Sequence, residues 1–319
     1  MNYSDDGYAA MLLTMALSPD REEYARPYSV QELRRLEAAV RNTEIKRIGG
    51  LLNVDISGLM IYLGLPEEEA YRTFTLLHRS VQLTYALEGF SRQGVEVITS
   101  YDAEYPQRLP RKLGDAAPPF FYRCGSAKLL ERPHIAIVGI RGVRTDSNMR
   151  NAIEALVRNA TAKGYGVLTG GELGVSRVAE SLVAQCGGTL LEVLGGGMQE
   201  QIHREDIAEL IATDRCAVLS VEHPEAMFTL SHAVARNRLL FSLADAAFVF
   251  NTDGRRGESE AIQNRYCDWI YAWEDFPENR ALIARGAIAL NGRTPIDFNA
   301  MSQHWNSSSA EQLNMFDLF

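Results

Sequence analysis

His134-Ile-Ala-Ile-Val-Gly139, Gly166-Val-Leu-Thr-Gly170 and Gly188-Thr-Leu-Leu-Glu-Val-Leu194 are three short apolar runs, and each closes on glycine or runs into one. The first is apolar and rich in β-branched residues, and it reads as a buried parallel strand. A polar loop with Arg141 and Arg144 follows it, then a helical stretch from about Asn148 to Lys163. Gly171 and Gly174 lead from the second run into a helix from about Val175 to Gln185, and the third run ends on Gly195-Gly196-Gly197. Strand, glycine, helix, three times over, describes a doubly wound, mainly parallel α/β sheet whose strand ends face one crevice. Glycine there lets backbone N–H groups approach an anion closely, beside positive helix N-termini. The crevice is the candidate site, and a phosphate-bearing ligand suits it.

Working outward, 319 residues allow two domains, and a hydrophobic share of 46% allows a sizeable core. No apolar run approaches the roughly 20 residues of a membrane helix. The opening Met-Asn-Tyr-Ser-Asp-Asp is acidic where a secretory signal is basic, which predicts a cytoplasmic protein. Cys124, Cys186, Cys216 and Cys267 lie far apart, read as reduced thiols, and offer no metal-ligand spacing. No metal and no cofactor is expected. The net charge of −9 argues against a broadly basic surface, and the negative charge is spread thinly along the chain. Nucleic acid is still open as a ligand, because local Lys/Arg placement and not the sum sets that affinity.

Residues 1–90 read as a small helical domain. Tyr8 to Leu17 is an apolar stretch closed by Ser18-Pro19-Asp20. Ser29-Val-Gln-Glu32 has capping-box form and predicts a helix to about Thr43. Asp55 to Gly64 and the segment opening on Pro66-Glu-Glu-Glu69 predict two more, the second with proline in its first turn. Such a bundle serves as an interaction module or as a structural cap. Gly94-Val-Glu-Val-Ile-Thr99 predicts a strand. Ala117-Pro-Pro-Phe-Phe-Tyr-Arg-Cys-Gly125 predicts an edge strand, since proline is excluded from central positions.

From about residue 94 to 290 the motifs fall in a specific order. Gly-x-x-x-Ile-Thr is followed by Asp102-x-x-Tyr-Pro-x-x-Leu109, then Pro-Pro with glycine at 125, then Ile-Ala-Ile-Val-Gly-x-Arg141. Leu194-Gly-Gly-Gly-Met198, Leu219-Ser-Val-Glu-His-Pro224 and Ala235-Arg-Asn-Arg-Leu-Leu-Phe-Ser-Leu-Ala-Asp245 complete the set. This order resembles the DprA/Smf family of DNA-processing proteins. The resemblance implies an extended Rossmann-like domain over 91–295, a non-enzymatic protein and a dimer. It implies single-stranded DNA held at the sheet's carboxyl edge and a recombinase as partner. Arg141 stands where the family's Gly-Ser-Arg motif carries its DNA-contacting arginine, with Ile140 in place of the serine. The family's Ser-Gly-x-Ala-Arg-Gly-Ile-Asp-x-x-x-His is here Thr169-Gly-Gly-Glu-Leu-Gly-Val-Ser-Arg-Val-Ala-Glu180. Leu173, Ser176 and Glu180 thus replace arginine, aspartate and histidine, Glu172 adds negative charge, and Arg177 offers partial compensation.

Two further features join Gly139, Gly170, Gly171, Gly174, Ser176 and Gly195 to Gly197 at the crevice. Arg236-Asn237-Arg238 supplies two guanidinium forks suited to phosphate and an amide suited to a base edge. Its alternative role is to pin the helix start to Glu222 or Asp245. Arg255 and Arg256 lie in a Gly-rich turn suited to tracking a backbone, or simply in a solvated loop. No histidine stands where catalysis would need it, and Ser176 and Ser220 read as capping residues.

Residues 296–319 read as a flexible tail ending Gln312-Leu-Asn-Met-Phe-Asp-Leu-Phe319. It resembles the bacterial sliding-clamp-binding peptide, with Gln312, Leu313, Met315 and Phe316 as polar and apolar anchors, or it folds back on the protein itself. Many members of the DprA/Smf family carry a winged helix at this end, and no stretch of these residues is expected to form one. The leading expectation is single-stranded DNA or a nucleotide in the crevice. A second reading is a phage-defence antitoxin or sensor whose partner is a toxin. A third is a nucleotide N-glycosidic hydrolase using Glu258 and Glu260.

Overall fold

Ser4 opens the first helix, α1 (Asp5–Thr14), by accepting a hydrogen bond from Gly7 N on its hydroxyl. Ser29 opens α2 (Val30–Arg41) through a complete capping box with Glu32. These belong to a computed structural model that describes residues 3–17, 25–139, 146–253 and 257–301. α3 (Ile56–Leu63) starts on Asp55, whose carboxylate accepts from Gly58 N. α4 (Glu67–Leu77) places three glutamates in its first turn, where the helix dipole is positive. Pro66 stands at its cap, one place before the first-turn position expected from sequence. α5 (Ser80–Arg92), β1 (Val95–Thr99), α6 (Arg108–Leu113) and β2 (Phe120–Gly125) follow.

The chain divides into two compact units. The first comprises Met1–Cys124, Gly196–Gln199 and Leu219–Met227. Its helices bury Leu12, Leu33, Leu36, Leu51, Leu59 and Leu76. Arg79 is buried too, and its guanidinium donates to the carbonyls of Leu12 and Met15 at 2.6 Å. A cation there satisfies orphan carbonyls at the C-terminal end of α1 and opposes the negative pole of its dipole. β1 and β2 pair antiparallel, from Val95 opposite Cys124 to Thr99 opposite Phe120. Phe120–Gly125 contains no proline, because Pro118 and Pro119 precede it. The argument that assigned this segment to an edge therefore applies to its approach and not to the strand.

In the second unit β3 (His134–Val138), β4 (Gly166–Thr169) and β5 (Leu190–Leu194) are the three runs named from sequence. α7 (Ser147–Ala162) and α8 (Val175–Cys186) link them. The helix α9 (Gln199–Ile202), α10 (Glu205–Ala212) and β6 (Cys216–Ser220) follow. The chain then runs through α11 (Leu230–Leu243), β7 (Ala246–Val249), α12 (Glu258–Gln263), β8 (Trp269–Trp273), α13 (Arg280–Ala284) and β9 (Ile288–Leu290). The strand order is β6-β5-β4-β3-β7-β8-β9. The registers recorded for β4–β5, β3–β4, β3–β7, β7–β8 and β8–β9 are all parallel. β3 to β7 are buried residue by residue, as strands covered on both faces must be. Phe248 and Tyr271 stack across the β7–β8 pair with centroids 4.7 Å apart. Fully buried Asn279 donates to the carbonyls of Val249, Phe250 and Trp273, fixing the loops beyond the strands.

This order has a consequence for the site. The chain runs outward from β3 through β4 and β5 on one side, then returns to place β7 on the other. The point of reversal lies between β3 and β7, and crevices for ligands form beyond the strand ends at such points. No helix among the described residues is long and apolar enough to cross a membrane. The four cysteines are free thiols, and no cluster of three metal-ligating side chains is found among the described residues.

Candidate nucleic-acid interface

The carboxyl ends of β3 and β4 and the middle of α11 meet at the point of reversal. A small cleft there is lined by Gly139, Gly170, Ser176, Arg236 and Asn237, five residues named from sequence, together with Glu172 and Glu258. Close packing leaves it about 10 Å³ of free space, enough for about one water molecule. A nucleoside monophosphate does not fit inside, so any polynucleotide must lie over its mouth.

The glycines are required by packing before any ligand is considered. A Cβ at Gly170 would stand 1.8 Å from Arg236 Nη1, and one at Gly139 would stand 2.6 Å from the Val175 side chain. Gly171 (φ 69°) and Gly174 (φ 104°) adopt left-handed backbone angles that favour glycine. A Cβ at Gly195 would come within 3.2 Å of Ala233 Cα and the Phe228 ring. Gly196 and Gly197 belong to the first unit, where the Ser220 hydroxyl donates to Gly196 O and Gly197 N donates to Ala226 O.

The arginines divide by burial. Arg236 is 3% exposed. Its Nη1 donates to Gly170 O at 2.7 Å, and its Nη2 sits 3.2 Å from a Glu172 oxygen. It fastens the β4 loop to α11, with Glu172 as a carboxylate partner. Asp245 accepts from His134 N at the start of β3. Arg238 is turned outward with 42% of its side chain exposed, and it lies 2.9 Å from Glu260. Arg177 is 36% exposed and approaches Glu180 at 3.6 Å and Asp206 at 3.9 Å. Leu173 and Phe228 stand half-exposed on the loops after β4 and before α11. Arg141, Arg144, Arg255, Arg256 and the tail residues Gln312, Leu313, Met315 and Phe316 lie outside the described residues.

Beneath the Gly170–Gly171 turn lies a feature the residue-type search missed. Glu192, wholly buried in β5, and Glu180, 2% exposed on α8, are close enough for each to perturb the other's titration. Gln201 donates to Glu192 at 2.7 Å, Arg204 donates to Glu180 at 3.0 Å, and Thr169 donates to Glu180 at 3.4 Å. Burial pushes Glu180 up to about 7 against the pull of Arg177, and burial beside Glu180 pushes Glu192 far above the carboxylate range. Both acids therefore lean toward their protonated forms, Glu192 more strongly, because Arg177 and Arg204 both approach Glu180. The signal was a lone glutamate inside Leu-Leu-Glu-Val-Leu, where a buried strand has no solvent to offer it. Glu258 is buried in the cleft wall, and Glu260 holds Arg238 and Tyr266. The two acids of the hydrolase reading thus have separate surroundings.

The family model described as DNA recombination-mediator protein A matches residues 96–266, which contain the cleft and its rim. The structure of DNA processing protein A from Streptococcus pneumoniae is similar, with 17% identity over 91% of this chain and 96% of that one, at a TM-score of 0.65. DNA processing protein A from Helicobacter pylori, described for its single-stranded DNA binding mode, is 20% identical over 68% of this chain and 96% of that one, at a TM-score of 0.51. No curated protein sequence matches the chain.

Proposed function

The chain belongs to the DNA recombination-mediator protein A family, and from that premise we propose that it binds single-stranded DNA and serves in DNA processing without catalysing a reaction on it. The observation that carries this reading is the convergence of the family's glycine loops, Ser176 and Arg236-Asn237 at the reversal point, inside the matched segment. A closed cleft below an exposed rim suits a polyanion that is held and released. Arg238 and Arg177 supply exposed charge on the helices that carry the cleft's residues, Phe228 offers a ring on which a base stacks, and Leu173 offers an exposed apolar contact. Arg236 acts one layer down, holding the loops that present them. The expected partner beyond DNA is a recombinase, and the expected assembly is a homodimer.

Titration of a thymidine oligonucleotide at rising salt tests this. Affinity should fall steeply with salt, and Arg238→Ala and Arg141→Ala should each flatten the log–log slope by about one. Phe228→Ala should weaken binding at every salt concentration and leave the slope intact. An affinity indifferent to salt would count against the proposal, as would no binding at all.

A further inference from the structure

The first unit holds a cleft of about 550 Å³, far larger than the one at the strand ends. α1, α2, the loop after α2, the end of β1 and the turns around α6 enclose it. Arg34, Arg41, Lys46 and Arg47 line it against Asp6, Glu37 and Asp115, a local excess of positive charge in a chain of net charge −9.

Two of the three carboxylates are already engaged. Glu37 takes both its oxygens to Arg34 Nη1, at 2.8 and 3.1 Å, and accepts the Tyr101 hydroxyl as well. Arg34 is fixed further by donating to Ala117 O at 3.1 Å. Asp6, largely buried, accepts from Arg47 Nε at 2.7 Å and from Gly49 N at 2.8 Å. Arg41 and Lys46 are exposed on the same cleft, and among the described residues no hydrogen bond or ion pair engages either side chain. Arg47 keeps 68% of its side chain exposed beside them. Three guanidinium or ammonium groups therefore face one hollow whose nearby acids, Asp115 apart, are spent.

The remaining wall is apolar and aromatic. The Tyr101 ring is held in place by its bond to Glu37 and is still 36% exposed, and Ile48 and Pro110 also line the cleft. A volume of this size lies within the roughly 300–1,000 Å³ of small-ligand sites. Cations on one side, a fixed aromatic face on another and an unengaged carboxylate at Asp115 match the three parts of a nucleoside phosphate. Arg41, Lys46 and Arg47 take the phosphate, Tyr101 takes the face of the base, and Asp115 accepts from a sugar hydroxyl or base amino group.

We propose that this cleft is a second anion site, one that binds a nucleoside phosphate, either as a free mononucleotide or as one unit of a single strand. It does not rest on the rim of the strand-end cleft. Calorimetric titration of the full chain with adenosine 5′-monophosphate, inorganic phosphate and a thymidine oligonucleotide tests it. Adenosine monophosphate should bind the unmodified chain, at least ten-fold more tightly than phosphate. Arg41→Ala/Lys46→Ala should weaken it ten-fold or more, and Arg238→Ala should leave it unchanged. Both replaced side chains are exposed, so the double variant should fold, with an unchanged melting curve as the check. If the oligonucleotide displaces adenosine monophosphate, the single strand is the source; if the two bind independently, the free nucleotide is, and either supports the site. No saturable binding up to millimolar nucleotide would overturn the proposal. So would equal affinity in the double variant, or adenosine monophosphate binding no better than phosphate.

Discussion

Each unit of this protein carries a cleft lined by arginine, and the two sets of arginines are used in opposite ways. At the strand ends the cation is buried and committed: Arg236, 3% exposed, is taken up by Glu172 and the Gly170 carbonyl. In the first unit two little-exposed carboxylates, Glu37 and Asp6, are committed to Arg34 and Arg47, and it is Arg41 and Lys46 that stay open. Burial explains the difference. A charge removed from water must be paired, so a buried arginine becomes a clamp and only an exposed one keeps capacity for a ligand. Basic residues in a motif therefore say where charge is placed, while accessibility says what that charge is for.

The sharpest way to break the contrast is to remove the committed cation. Arg236→Ala leaves Glu172 beside an empty site and should destabilise the protein by about 3–5 kcal/mol, read from the denaturation midpoint. Replacing both partners, Arg236→Met with Glu172→Leu, should recover most of that loss. A double variant as unstable as the single would show that Arg236 is not a clamp for Glu172. Gly170→Ala comes next, since its Cβ would overlap Arg236 Nη1. The expected cost is about 1–3 kcal/mol.

The carboxyl pair under the same loop sets a pH dependence with a definite sign. Both acids titrate higher in the folded chain than in the unfolded one. The folded state therefore binds more protons, and stability should fall as pH rises from the ordinary glutamate range through about 7 and beyond. Glu192→Gln mimics the protonated acid. It should flatten that decline and stabilise the protein at pH 8 by at least about 1 kcal/mol, with little effect at pH 5. A steeper decline in the variant would place the proton elsewhere. The smallest effects belong to the exposed cations. Arg41→Ala and Arg238→Ala should each move stability by no more than about 0.5 kcal/mol, while altering anion binding.

Legibility from sequence followed the range of the forces involved. Ser29 and Glu32 announced α2 because a capping box is complete within four residues. β3, β4 and β5 were readable because a doubly covered strand has to be apolar along its whole length. The positions of Gly139, Gly170 and Gly195 were readable as turns. That they are glycine because Val175, Arg236 and Ala233 stand where a Cβ would go was not. Those neighbours come from other elements, and α11 arrives some 66 residues after the β4 loop. The cleft in the first unit left no motif at all, since residues as distant as Asp6 and Asp115 compose it.

What the sequence determined alone was the succession of strands, helices and glycine turns, together with the ordered motifs that mark the family, because period, capping and turn chemistry are local. What only the tertiary structure decided was which charges cancel. Glu172 meets Arg236, Glu180 meets Glu192, and among the described residues no acid engages Arg41 or Lys46, Glu37 and Asp6 being taken up by Arg34 and Arg47. Electrostatic pairing depends on distance and burial, and a linear chain specifies neither until it has folded.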